Sequence, residues 1–186
     1  MRRPGFTLLE LVVTMAIASM MFLIVGGIFI AQGRYLAIEN AINQTQYNAF
    51  QVLDATGLYM SSARRVVASQ TVNGRAYVSS TSTVVLQLPS IDTSGAILTN
   101  TFDYVAIGQD ATDPTKFMYD IQAADGSDRL TGKFIKAALV DKVIFRYNTV
   151  DPTAATEIDL YVRTTENARG RTIRMPLGKV YYLGSF

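Results

Sequence analysis

Between Leu8 and Ala31 the chain carries one charged residue, Glu10; every other side chain there is apolar, a glycine or a hydroxyl. As an α-helix this run of 24 residues reaches about 36 Å, enough to cross a hydrocarbon layer of about 30 Å with some tilt. It is apolar on all sides rather than striped, which argues against a core helix packed on one face. It is also much longer than the h-region of a secretory signal peptide, and Ile28–Gln32 offers no small-x-small cleavage site. Thr14 and Ser19 can return their hydroxyls to their own helix. Glu10 is the exception. An acid well inside a membrane costs on the order of 2.5–3.5 kcal/mol, so a partner for it is expected.

Ahead of the run stands a short basic leader, Met1-Arg2-Arg3-Pro4-Gly5, and the junction reads Gly5-Phe6-Thr7-Leu8-Leu9-Glu10. The basic leader, Gly-Phe junction, threonine, acid and long apolar run, in that order, resemble the prepilin signal of type IV pilins and type II secretion pseudopilins. The resemblance covers about the first thirty residues. It implies that a prepilin peptidase/methyltransferase cuts between Gly5 and Phe6 and N-methylates Phe6. It also implies that Glu10 pairs with the terminal amine of a neighbouring pilin or pseudopilin subunit. Physically, a cut at Gly5-Phe6 places an ammonium about one turn from Glu10, where the low dielectric strengthens a pair and penalises a lone charge. One helix can close that pair internally, or two offset helices can close it between subunits and so set a register. The plainer alternative is a membrane anchor with an acid near its edge.

Arg2 and Arg3 precede the span, so the expected topology is N-terminus cytoplasmic and the remainder outside the inner membrane. They are two of 17 basic residues; without them 15 basic face 15 acidic side chains. The basic balance thus belongs to the leader, and nucleic acid is not an expected partner. There is no Cys, His or Trp, which removes disulfides, thiol chemistry and the common His-based triads and zinc sites. No Gly-rich phosphate loop stands between a strand and a helix. Asp110/Asp113 and Asp125/Asp128 sit in turn-like segments. Their spacing matches no EF-hand loop and Asp is a common turn residue, so no metal or other cofactor is assigned.

Gly26-Gly27 interrupts the apolar run. The pair is read either as a point of helix flexibility or as small residues for close helix packing. Beyond Gly33 an amphipathic stripe runs through Ile38, Ala41/Ile42, Thr45, Ala49, Val52/Leu53, Thr56, Met60, Ala63 and Val67 in steps of three and four. Gly57 weakens the stripe without ending it, and one helix is expected to about Ala68. Asn73-Gly74 is the first strong turn after it. Thereafter β-rich runs alternate with turns: Thr83–Leu88, Phe102–Ile107, Lys116–Gln122, Lys142–Thr149, Glu157–Thr164 and Arg171–Leu183. Phe134–Val140 reads as a short helix or connector. The expected organisation is leader 1–5, membrane or filament-core half-helix 6–33, amphipathic half-helix 34–70 and β-rich domain 71–186. The fold class is α+β, a long N-terminal helix packed on an antiparallel sheet, as in pilins.

The resulting expectation is a structural filament subunit and not an enzyme, held in inner-membrane lipid before assembly into a pilus or pseudopilus. The long strand-rich C-terminal part resembles the larger minor pilins of the J or W type. An alternative is a filament-associated module that binds DNA or a surface through Arg163, Arg169, Arg171 and Arg174. The bland account of those arginines is a solvated edge that discourages stray strand pairing. Tyr181, Tyr182 and Phe186 are read as sheet-packing residues rather than a stacking platform. A membrane-anchored hydrolase using Ser, Asp and Lys would require those groups to converge in a pocket.

Overall fold

The structure, a computed structural model, describes residues 7–184. Its first element, α1, spans Leu8–Ser62. The chain divides into two compact units, with the boundary between Asn40 and Ala41.

In the first unit, the large apolar side chains from Leu8 to Ile30 are exposed or nearly so, Val25 being the most covered at 46% exposure. Thr14 donates to the Leu11 carbonyl at 2.9 Å and Ser19 to the Met15 carbonyl at 2.8 Å. Neither hydroxyl therefore needs water, which is what a helix surrounded by lipid requires. The helix runs unbroken through Gly26-Gly27, and the space beside both glycines is open.

In the second unit α1 buries Ala41, Thr45, Ala49, Val52, Leu53, Thr56 and Met60. This is the expected stripe, and small residues on it bring the backbone close to the sheet. Gly57 has a specific use: a Cβ there would lie 3.2 Å from the Tyr181 ring. The missing side chain lets Tyr181 lie on the helix and donate to the Leu53 carbonyl. The helix ends at Ser62, short of the expected Ala68 and of the 34–70 segment. Ser61 and Ser62 turn their hydroxyls back to the Leu58 carbonyl, and the Arg64 N–H pairs with the Gln87 carbonyl instead of continuing the helix. Val66 and Val67 keep the spacing of the stripe, but β-branched Val66 suits the strand it enters and the Val67 N–H pairs with the Val85 carbonyl.

The strands are β1 (Arg65–Val66), β2 (Ser69–Val72), β3 (Arg75–Val78), β4 (Thr83–Ile91), β5 (Ile97–Gln109), β6 (Phe117–Gln122), β7 (Gly132–Ala137), β8 (Val140–Tyr147), β9 (Glu157–Ala168) and β10 (Arg171–Tyr182). They form three antiparallel sheets: β1-β4-β5-β6-β7, β10-β9-β8 and the β2-β3 hairpin. The architecture is α+β and pilin-like. The core gathers Leu86, Leu88, Ile107, Phe117, Tyr119, Phe145, Ile158 and Leu160 around the helix stripe. Along β9 the residues Ile158, Leu160, Val162 and Thr164 point inward and their neighbours outward, the alternation expected of a strand with one buried face.

Asn73-Gly74 and Arg169-Gly170 close the two tight hairpins with consecutive positive φ angles, 49° and 77° in the first and 51° and 77° in the second. That geometry matches the twist of the flanking strands. Residues 132–137 differ from expectation. They form β7, paired with β6, and Leu139, at φ 60°, turns the chain into β8. The strand is hard to read because it is an edge: Ile135 faces solvent and only Ala137 is buried.

Candidate functional site

The N-terminus of α1 is closed by its own side chains. The Thr7 N–H and the Thr7 hydroxyl each donate to Glu10 Oε2 at 2.9 Å, and the Glu10 N–H donates to Thr7 Oγ1 at 3.3 Å. This reciprocal arrangement is a capping box: a threonine N-cap and a glutamate three residues later satisfy each other's backbone donors. The carboxylate also lies where the positive end of the helix dipole favours an anion. Glu10 therefore meets its need for partners in part through the end of its own helix. Both bonds to the carboxylate fall on Oε2. The motif contains Thr7 and Glu10, but sequence reading did not pair them, although Thr-x-x-Glu ahead of an apolar run is the signature of a capping box. Gly5 and Phe6, the expected processing residues, lie outside the described residues, as does the leader.

Downstream of the cap, α1 is long and apolar enough to cross a membrane, and its most apolar window has no buried residue. Residues 1–26 match the family described as the prokaryotic N-terminal methylation motif. The chain carries a prepilin-type N-terminus. The match covers the N-terminal motif alone, and in the structure that motif leads into a long apolar helix followed by an antiparallel β domain. No curated protein matches the chain.

The β domain of this prepilin-type chain places the other singled-out residues apart. Asp110 pairs with Lys133 at 2.8 Å. Asp113 accepts from the Thr115 hydroxyl and from Lys116, which together hold its carboxyl down at about 2. Asp125 and Asp128 join neither group, and no cluster of three potential metal ligands occurs among the described residues. Of the four arginines, Arg163 is tied to Asp141 across β8 and β9. Arg169 sits in the β9–β10 turn, and Arg171 and Arg174 are exposed along β10. Tyr181 is buried against α1, whereas Tyr182 is exposed; Phe186 lies outside the described residues.

One open groove of about 570 Å³ runs beside the helix. Its walls include Tyr47, Phe50, Asp54 and Leu58 of α1 and Lys136 of β7. Sequence reading missed it, because Lys136 lies far along the chain from the helix and the helix residues involved are outside the buried stripe.

Proposed function

We propose that the chain is a subunit of a type IV pilus or type II secretion pseudopilus. It is cut between Gly5 and Phe6, methylated on Phe6, held in the inner membrane by Leu8–Ala31 with its β domain outside, and then assembled with other pilin or pseudopilin subunits. The observation that carries this reading is the methylation motif joined directly to the exposed apolar segment Leu8–Ala31 of α1, in which the one acid, Glu10, sits at the first turn. Residues 6–33 serve as anchor and filament core, and the β-rich domain lies on the filament surface. A minor, initiating or capping position is the finer reading, and subunit stoichiometry in purified filaments decides it.

Glu10 acts in docking. The capping box lowers the cost of keeping its carboxylate in lipid while the subunit waits, and Oε1 is left to meet the new ammonium of a neighbour's Phe6. Gly26 and Gly27 give the helix a place to bend on assembly, at a cost to helix stability of about 1 kcal/mol each. Mass spectrometry of the mature N-terminus tests the processing step: methylated Phe6 is expected, and a retained Met1–Gly5 leader overturns it. Glu10→Ala is expected to insert in the membrane normally and to enter filaments poorly. Normal incorporation of that variant removes the docking role.

A further inference from the structure

The groove beside α1 combines aromatic and aliphatic walls with two charges. Tyr47, Phe50 and Leu58 are 63%, 46% and 72% exposed. They lie on a second stripe of the helix, away from the residues packed on the sheet. Asp54 on the helix wall and Lys136 on the strand wall are exposed. Among the described residues neither has an ion-pair partner, in each other or elsewhere. An occupant would therefore need an apolar surface bordered by a cation on one flank and an anion on the other.

The same chain carries such a surface. Arg34 and Glu39 are exposed on α1, and both lack an ion-pair partner among the described residues. Five residues apart, they stand about 140° apart around the helix and about 7.5 Å apart along it. The sector between them holds Ile28, Ala31, Tyr35 and Ile38, all apolar or aromatic. A helix wedged between two walls presents such opposed flanks. Direction follows as well. Lys136 also borders Tyr59, so the two groove charges run from Asp54 toward the C-terminal end of α1. Matching Arg34 to Asp54 and Glu39 to Lys136 sets the two helices parallel, with residue 38 of one level with residue 58 of the other.

We propose that this groove receives the Ile28–Glu39 stretch of α1 from a second copy of the chain, with Arg34 facing Asp54 and Glu39 facing Lys136. The proposal rests on the filament reading and gives it a register of about twenty residues between adjacent copies. It requires at least two neighbouring copies in a filament.

The test uses the full chain expressed with its assembly machinery, and reads incorporation into sheared filaments. Arg34→Glu and Asp54→Arg each lower incorporation by about three- to tenfold, the size expected for reversing one partly exposed pair. The double variant recovers to near the unmodified level. In parallel, Ile38→Cys and Leu58→Cys are combined in one chain that has no other cysteine. Oxidation then gives a ladder of covalent multimers that neither single variant gives. The two sites are about 30 Å apart on one helix, too far for a bridge within a chain. A double charge variant no better than the worse single, or the absence of a ladder in filaments that contain the chain, overturns the groove assignment and leaves the filament reading standing. Absence of the unmodified chain from filaments overturns both.

Discussion

Asp120 on β6 is fully buried and takes three donors from the β2–β3 hairpin. Asn73 Nδ2 lies 2.6 Å from Oδ1, and Tyr77 Oη and Arg75 Nη1 lie 2.7 and 3.2 Å from Oδ2. Without Asp120 the hairpin keeps the bonds from Asn73 to the Ile121 carbonyl and to Gln122, together with a small apolar contact of Val72 and Tyr77 against Val85 and Ala106. Asp120→Ala therefore removes most of the polar attachment of one two-stranded unit. Bonds to a charged acceptor are worth about 1.5–3 kcal/mol each when buried. Two count here, those from Asn73 and Tyr77. The Arg75 side chain is 56% exposed and returns to water, so its share is left out. Because Asn73 keeps a second acceptor, the expected loss is about 2–4 kcal/mol, local to the hairpin. At about 1.4 kcal/mol per factor of ten, the open hairpin becomes about 30- to 700-fold more populated. Hydrogen exchange by mass spectrometry on the full chain in detergent reads this directly. Peptides covering 69–78 exchange faster by that factor, and peptides from β9 are unchanged. Asp120→Asn, which keeps one acceptor oxygen, loses less. Acceleration of the hairpin by under threefold refutes the clamp. Equal acceleration in β9 refutes its locality.

Tyr119 Oη and Thr56 Oγ1 meet at 2.9 Å with no access to water, so Tyr119→Phe costs about 1–2 kcal/mol in denaturant unfolding. Adding Thr56→Ala to it costs less than the sum of the single losses. Gly108→Ala on β5 would set a Cβ 2.6 Å from the Ser82 carbonyl oxygen. A lower thermal midpoint is expected, and an unchanged one contradicts the close approach. Burial raises the Asp103 carboxyl, but bonds from the Ala124 N–H, Arg129, Ser90 and Ser127 outweigh it and hold the group below its ordinary range. A depressed carboxyl stabilises the fold above the unfolded-state value near pH 4 and loses that contribution as pH falls through the folded value. Pepsin cleavage around residues 123–131 should therefore rise below about pH 4, and Arg129→Met should move the rise to higher pH.

The helix and the later strands were legible because their periodicities are strong. The stripe from Ala41 to Met60 has its full set of three- and four-residue steps, and Ile158–Arg163 alternates without a break. The helix end was not, because Ala63 and Val67 prolong the same spacing after the backbone has turned to pair with β4. Strand β7 was hidden for a related reason. An edge strand whose outer face meets solvent does not need the pattern of a strand buried between neighbours. The division into three sheets also escaped detection, since pairing order depends on contacts between residues far apart in the chain.

The candidate site divides along the same line. Every residue of the N-terminal element lies within one short stretch, so leader, junction, acid and apolar run can be read together. Its geometry adds that the acid answers first to its own helix end, through Thr7. A local capping box can hold a carboxylate in place, but it cannot specify how far one subunit is displaced from the next. That information has to come from a surface that meets another chain. The groove walls come from Tyr47–Leu58 and Lys136, and the matching charges from Arg34 and Glu39 of a second copy. The helix wall, Tyr47, Phe50, Asp54 and Leu58, follows the helical spacing, but Lys136 joins it only through the tertiary fold. In the proposed assembly an acid that any neighbour's amine can satisfy would draw subunits together without choosing the partner, whereas two opposed charges flanking an apolar face would select both a partner and a register.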